Sequence, residues 1–422
     1  MNELKIAAIF GLILAAASAI AVTMGALLLQ FLAPGDQAVA WRSVVVALGG
    51  VGVALSLICL LHVALVFAGL MTSSAETRRV QAWLGSWAAV AGGDPPPVAV
   101  SPGEQRAASQ AAALILQDMS GEAAARIRNA VQACGLIAAD MARAESRRGL
   151  GQGERVAALE RLAWLAAPAA LPLFKRAVLS ANPRTVRAGV LGASRTLAGA
   201  NELGETGIQV LACLQAYADA TFTAGHRPFL SAALAGAGKH TVWLCAELLT
   251  RSLPDAMWAA ALDALGTSHP ESAAQTVTAA LKGGLEGETL AAALRALAQL
   301  GTVPSEALEA VRAARLDRHD GVRVQAAHAL VGAPQTVALG DLWELLADRT
   351  FDVRFAAAKA LAACGAAGAH ELRRAAASHP DPFARDMAAM LQRDLDGPAA
   401  ARPEDSREAT GLTALTAATA RA

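Results

Sequence analysis

Two segments in the last third of the chain repeat one pattern, and this repeat limits the fold more than any other feature. Asp320–Leu330 reads Asp-Gly-Val-Arg-Val-Gln-Ala-Ala-His-Ala-Leu, and Asp352–Leu361 reads Asp-Val-Arg-Phe-Ala-Ala-Ala-Lys-Ala-Leu. Both place alanines three and four positions after the arginine, and a leucine seven after it, on one helical face. Weaker copies are Pro183–Leu197, Arg227–Leu234, Pro254–Leu265, Glu288–Leu297 and Asp381–Leu391. They recur roughly every 31–40 residues, mostly 31–33, which is typical of helical repeat arrays.

The pattern Asp-x-Val-Arg-x-x-Ala-Ala-x-Ala-Leu resembles the short bacterial form of the HEAT repeat, a form also found in lyase-like proteins. The resemblance covers residues 150–395, and two copies depart from it. Met257-Trp258 and Thr289-Leu290 stand where Val-Arg is expected. The resemblance implies an α-solenoid, in which antiparallel helix pairs stack and offer a surface to partners.

Composition and charge narrow the fold and the function classes. Hydrophobic residues make up 55% of the chain and aromatic residues only 4%, with Tyr217 as the single tyrosine. An alanine-rich chain with few aromatic residues favours an all-α fold over a β fold. Lys and Arg balance Asp and Glu at 36 each, so the general electrostatic case for nucleic-acid binding is absent. The five cysteines form no CxxC motif and indicate free thiols in a reducing compartment.

Two long apolar runs near the amino terminus predict a transmembrane helical hairpin over residues 1–72. The runs cover about residues 4–33 and 44–71, and each is longer than the roughly 20 residues that a helix needs to cross a bilayer. Basic residues lie before the first run and after the second, so we expect both chain termini in the cytoplasm of a bacterium, at its inner membrane. Trp41, in the short connection, is expected to anchor the outer interface.

Three residues of the second run suggest packing within the membrane. Gly52 and Ser56 are four residues apart and allow close helix approach, either within the hairpin or with a partner membrane protein. His62 is the one ionisable residue inside a span. It is either a functional group or a neutral side chain hydrogen-bonded within the hairpin.

Residues 73–103 are predicted to link the membrane to the repeats. In Glu76–Ala91, large apolar residues with helical spacing include Trp83 and Trp87. This stripe predicts either a helix on the inner leaflet, anchored by the two tryptophans, or a stalk packed on the first repeat. A proline-rich stretch follows. The remaining predicted domains are a solenoid over residues 104–395 and a disordered tail over residues 396–422.

A row of arginines and aspartates follows the repeat. We expect each aspartate to cap a helix and each arginine to bridge to an aspartate of its own or a neighbouring repeat. The alternative is that the arginines hold an acidic partner. The residues of this structural ladder are Arg187, Asp320, Arg323, Asp352, Arg354, Asp381 and Arg385.

No local motif for chemistry is present in the sequence. The eight histidines include no HExxH or other short metal-ligand spacing, and no nucleophile elbow, Walker loop or paired-carboxylate motif occurs. The sequence therefore predicts no enzyme, and no catalytic, metal-binding or cofactor-binding residue.

These features together predict a membrane-anchored cytoplasmic scaffold or regulatory subunit that binds a membrane-bound protein partner. The order of hairpin, spacer and short repeats resembles bacterial HEAT-repeat proteins that accompany membrane glycosyltransferases making exopolysaccharide. The resemblance implies such an enzyme as the partner. One alternative is a HEAT-like lyase, and another is a structural membrane protein that self-assembles through Gly52 and Ser56.

Overall fold

The computed structural model describes residues 75–97, 99–146, 151–200, 202–220, 223–268 and 271–396. Within these ranges the chain forms helices and no strand, as the sequence predicts. The α-helices are α1 (residues 75–92), α2 (Gln105–Asp118), α3 (Gly121–Ala133), α4 (Leu136–Glu145), α5 (Gln152–Trp164), α6 (Leu171–Val178), α7 (Pro183–Ala198), α8 (Gly204–Ala220), α9 (Arg227–Ala235), α10 (Thr241–Leu249), α11 (Asp255–Gly266), α12 (Glu271–Lys282), α13 (Gly287–Leu300), α14 (Ser305–Ala314), α15 (Asp320–Leu330), α16 (Gln335–Leu345), α17 (Phe351–Ala363), α18 (Gly365–Ser378) and α19 (Pro382–Asp396).

The first compact unit ends at Leu136 and contains α1–α3. Trp87 of α1 is fully buried, and its Nε1 donates a hydrogen bond to the Ala108 carbonyl of α2 at 2.8 Å. The Arg126 side chain of α3 donates to the Ala91 carbonyl at the end of α1. Residues 75–97 are therefore packed into this unit.

Burial of Trp87 also corrects its predicted role. A side chain with no exposed surface cannot anchor a membrane interface, and Trp87 instead fills the core between α1 and α2. Trp83 is half-buried, and its ring centroid lies 5.8 Å from that of Trp87. The apolar stripe of α1 thus packs inward.

The chain between residues 121 and 145 forms two helices with a short break between them. Gly135 has a φ of 70°, which lies in the left-handed region that ends a helix and favours glycine. The chain therefore forms α3 and α4 as separate helices on either side of this residue.

The second unit begins at Ile137 and holds the repeats. Its helices form two rows, because most helices contact both a sequence neighbour and the helix two places on. We call α5, α7, α9, α11, α13, α15, α17 and α19 the odd row, and α6, α8, α10, α12, α14, α16 and α18 the even row. One continuous core of leucine, alanine and valine lies between them, which is the organisation of a helical repeat solenoid.

Small residues allow the odd-row helices to approach one another closely. Alanines 259–261, 291–293 and 356–358 lie in three of these helices and are buried. A Cβ atom at Gly266 of α11 would lie 3.0 Å from Cα of Ala296 in α13, so only glycine fits without a shift. The alanine pairs that define the repeat in the sequence are likewise fully buried in the core.

The predicted membrane localisation is corrected by the described part of the chain. No helix there combines the length and the apolar character that a membrane crossing requires. The predicted spans 4–33 and 44–71, with Trp41, Gly52, Ser56 and His62, lie outside the described residues. The predicted tail also lies outside them from residue 397 onward.

Candidate interaction surface

Three ladder arginines make the same contact at the start of an odd-row helix. Each donates from Nη1 to the backbone carbonyl six residues upstream, in the turn that enters the helix. Arg323 reaches Asp317 at 2.9 Å, Arg354 reaches Asp348 at 2.8 Å and Arg385 reaches His379 at 2.7 Å. These carbonyls lie just beyond the ends of even-row helices, where backbone acceptors lack partners within the helix. The arginines therefore fix the turn between the two helices of each repeat.

The three turn residues that supply these carbonyls also make the same local hydrogen bond through their side chains. Asp317 and Asp348 each accept a hydrogen bond from the backbone N–H two residues later, at 2.7 and 2.8 Å. His379 does the same through Nδ1, at 3.1 Å from the nitrogen of Asp381. Such local bonds stabilise a tight turn without a glycine.

The ion-pair partner of Arg323 is an aspartate that does not belong to the predicted ladder. Arg323 pairs with Asp348, the turn residue of the next repeat, with Nε–Oδ2 and Nη2–Oδ1 distances of 2.7 and 2.9 Å. Burial alone would raise the pKa of Asp348, but hydrogen bonds from Arg323 and Thr350 outweigh it and lower that pKa. The ladder aspartates Asp320 and Asp352 are exposed at the starts of α15 and α17.

The predicted capping role of the aspartates is met at one of the three helices. Asp381 Oδ1 accepts from the Ala384 nitrogen at 3.0 Å and caps α19. Asp320 Oδ1 accepts only from the adjacent Gly321 nitrogen, and no side-chain cap is formed at α15 or α17. A turn aspartate three or four positions earlier, Asp317 or Asp348, orders the chain there instead by accepting a backbone hydrogen bond.

Trp258 replaces the arginine in the degenerate copy Pro254–Leu265. Its indole Nε1 donates to the carbonyl of Arg251, seven residues upstream, at 3.1 Å. The copy that departs from the sequence pattern therefore keeps the contact between the helix and its entering turn.

Arg187 of α7 does not make this contact. Its side chain is exposed, and the guanidinium lies 5.6 Å from the ring centroid of Phe229. The structure therefore separates Arg187 from the other members of the predicted ladder.

Other arginines of the second unit pair with carboxylates on neighbouring helices. These pairs are Arg161–Asp140, Arg227–Asp263, Arg295–Asp263 and Arg312–Asp341, with N–O distances of 2.7–2.8 Å. Asp140 and Asp341 are buried, so their charges are compensated inside the array. The charges of these side chains therefore serve contacts between helices.

A group of side chains on α17 and α19, three of them exposed and two half-buried, has a different character. We call Phe351, Arg354, Phe355, Lys359 and Phe383 the aromatic–basic patch. Phe351 and Phe383 are 54% and 63% exposed, which is unusual for large apolar side chains. The Arg354 guanidinium carbon lies 6.0 Å from the Phe351 ring centroid and 5.3 Å from that of Phe383. The two phenylalanines of successive repeats are thus joined across one cation.

The rest of the patch continues along α17. The rings of Phe351 and Phe355 are stacked with centroids 6.1 Å apart, and Lys359 Nζ lies 5.3 Å from the Phe355 ring. Within the described ranges, neither Arg354 nor Lys359 forms a salt bridge. The patch therefore presents apolar rings beside two cations whose charges no carboxylate of the described chain compensates.

His328 of α15 lies beside this patch. Burial lowers the pKa of its imidazole, and the charge of Lys359 lowers that pKa further. His328 is therefore predominantly neutral near pH 7, and the positive charge of this region resides on Lys359 and Arg354.

Sequence reasoning missed the patch, although the signal is present. Three of the nine phenylalanines of the chain fall within residues 351–383, and two of them occupy the first turn of an odd-row helix. Such a position is exposed in this fold, since the buried positions begin with Val353 and Ala384.

Two observations concern the metal-ligating and nucleophilic side chains of the described residues. No group of three or more His, Cys, Asp or Glu side chains placed to hold a metal ion occurs among them. Burial raises the pKa of the Cys213 thiol to about 11 and raises that of Cys245 further, so neither is a thiolate near pH 7.

Comparison with known proteins gives information on the fold and on nothing else. No protein-family model and no curated protein matches the chain. Kap121p is 12% identical over 69% of this chain and 37% of its own, with a TM-score of 0.40. The structure of Kap95p with RanGDP is 11% identical over 70% of this chain and 45% of its own, with a TM-score of 0.40. A designed armadillo repeat protein is 17% identical over 54% of this chain and 100% of its own, with a TM-score of 0.27. The chain spans less than half the length of Kap121p, and the likeness is to helical repeat solenoids.

Proposed function

We propose that this protein is a scaffold or regulatory subunit that binds a protein partner through the aromatic–basic patch. The observation that carries the proposal is the exposure of Phe351 and Phe383 on both sides of Arg354. Aromatic and arginine side chains dominate the binding energy of protein interfaces. Here they are grouped, while Arg161, Arg227, Arg295 and Arg312 of the same unit are paired with carboxylates.

The patch is also preorganised for binding. Arg354 is held by its hydrogen bond to the Asp348 carbonyl, and both phenylalanines stand at the first turns of packed helices. Side chains held in this way lose less conformational entropy when a partner binds. Full burial of each phenylalanine would contribute about 1.5–3 kcal/mol.

The charge of the patch indicates the chemistry of the partner. Lys359 and Arg354 favour a segment with carboxylates, and the rings favour a large apolar residue next to them. We therefore propose an acidic protein segment with at least one apolar anchor. The resemblance to HEAT-repeat proteins implies a glycosyltransferase of exopolysaccharide synthesis as the partner. Such an enzyme is one candidate for the protein that carries this segment.

Copurification with patch variants tests the proposal. The full chain, the variant Phe351→Ala/Phe383→Ala/Lys359→Glu and the control Leu179→Ala/Ile208→Ala are each expressed in the native host and isolated. The control removes two exposed apolar side chains that lie outside the patch. We expect one partner to copurify with the wild type and the control, and to bind the patch variant at least tenfold more weakly. Equal binding by all three folded proteins would contradict the proposal.

A second measurement identifies the segment that binds. A photoreactive phenylalanine at position 383 is cross-linked to the copurified partner, and the attached peptide is sequenced. We expect a peptide with aspartate or glutamate beside a large apolar residue. A basic peptide at this position would refute the charge argument.

A further inference from the structure

Arg187 lines a cavity that the proposed function does not use. The cavity has a volume of about 220 Å³ and lies where the turn before α7 meets the end of α8 and the start of α9. Its lining residues are Ser180, Ala181, Pro183, Val186, Arg187, Tyr217 and His226. It is therefore built from three successive parts of the repeat array.

The walls differ in character. Tyr217 and His226 are stacked with ring centroids 6.2 Å apart and an angle of 26° between their planes, and both line the cavity with aromatic side chains. Val186 and Pro183 add apolar surface from the first turn of α7. The cavity thus offers a slot for a flat or apolar body.

Arg187 supplies the charge. Among the described residues it has no hydrogen bond and no salt bridge, and it rests only on the face of Phe229. Burial raises the pKa of Tyr217, while the charge of Arg187 acts in the opposite direction, so the phenol lies within the field of this guanidinium and is neutral near pH 7. A cation and a neutral phenol therefore face the same small space.

We propose that this cavity binds a carboxylate with a small flat body, either a free organic acid or the acidic end of a protein segment. One guanidinium balances one negative charge, and its planar fork matches the two oxygens of a carboxylate. The volume is below the roughly 300–1,000 Å³ of sites for drug-sized ligands, so the ligand has about the size of one aromatic side chain.

Calorimetric titration of the full chain tests the site with benzoate as the probe. Benzamide, which has the same shape without the charge, serves as the matched compound. We expect benzoate to bind and benzamide to bind at least tenfold more weakly. Arg187→Gln is expected to weaken benzoate binding at least tenfold, and Arg187→Lys less, because the ammonium keeps the charge and loses the fork.

Arg184→Gln is the control, since Arg184 is an exposed arginine of the same helix that does not line the cavity. It should leave benzoate binding unchanged. Equal loss in both arginine variants would show a nonspecific charge effect and overturn the proposal.

A second titration distinguishes the two sources of the carboxylate. A short peptide that ends in phenylalanine with a free carboxylate is compared with the same peptide amidated at its end. Binding of the free peptide that benzoate displaces assigns the cavity to a protein segment, and binding of benzoate alone assigns it to a free acid. Absence of Arg187-dependent binding by both probes would overturn the site and leave the aromatic–basic patch untouched.

Discussion

Arg323 and Asp348 form two parallel hydrogen bonds across 25 residues of sequence, with N–O distances of 2.7 and 2.9 Å. The arginine starts one repeat and the aspartate forms the turn that enters the next. The same Arg323 also donates to the carbonyl of Asp317 in its own turn. One side chain therefore connects the turns of two successive repeats.

Removal of the carboxylate is expected to be costly because Arg323 is only 5% exposed. Asp348→Ala leaves a buried charge without its partner and should lower the free energy of unfolding by about 3 kcal/mol. The exposed Asp320→Ala should change it by less than about 0.5 kcal/mol. Urea denaturation of both variants measures the difference. Similar stability of the two variants would show that the ion pair has no net effect.

The lowered pKa of Asp348 predicts how this contribution depends on pH. A carboxyl group with a depressed folded-state pKa stabilises the fold above its unfolded value and loses that effect as pH falls through the folded one. The stability difference between wild type and Asp348→Asn should be constant above about pH 5 and shrink below about pH 4. Denaturation at a series of pH values measures it. A difference that stays constant down to pH 2 would contradict the assignment.

The repeat period predicted the architecture well, since helical spacing is a local property. The segment Asp320–Leu330 was defined from the sequence alone, and α15 has the same bounds. The partner of Arg323 was not predictable from spacing, because Asp320 and Asp348 are equally good carboxylates and only packing brings one of them close. The hydrogen bond of Trp258 to the entering turn was missed for a related reason. Tryptophan and arginine both carry an N–H donor but differ in size, shape and charge, so the sequence does not show that one replaces the other.

Trp258→Phe tests whether the indole replaces the arginine. The substitution keeps an aromatic ring and removes the donor to the Arg251 carbonyl, so it should lower the free energy of unfolding by about 1 kcal/mol. Urea denaturation measures the loss, and hydrogen exchange of the amides in residues 251–258 should accelerate. Unchanged exchange in this turn would show that the bond does not hold it.

Gly192 of α7 is expected to resist substitution. A Cβ atom there would overlap the ring of Phe174 in α6, which is fully buried. Gly192→Ala should therefore cost about 1–3 kcal/mol through overpacking. Gly321→Ala in α15 is the matched control, since no atom lies within 4 Å of its Cβ position. There the gain in helix propensity should stabilise the protein by up to about 1 kcal/mol. Thermal denaturation that gives both variants the same sign would contradict the packing argument.

Lys359→Gln should raise the pKa of His328 without restoring its ordinary value of 6.5. Burial is the larger cause of the lowered pKa and remains, whereas the repulsion by the Lys359 charge is removed. The pH titration of the His328 ring protons by NMR measures the shift, and Lys282→Gln, on α12, is the control.

The same lowered pKa makes the stability of the fold depend on pH. A histidine whose folded-state pKa is lowered destabilises the fold as pH falls below 6.5 toward the folded-state pKa, so wild type should lose more stability than the variant in this range. An acidic segment bound at Lys359 should raise the same pKa, and its binding should therefore tighten as pH falls from 7 toward 6. An unchanged His328 pKa in Lys359→Gln would remove this electrostatic connection between the histidine and the patch.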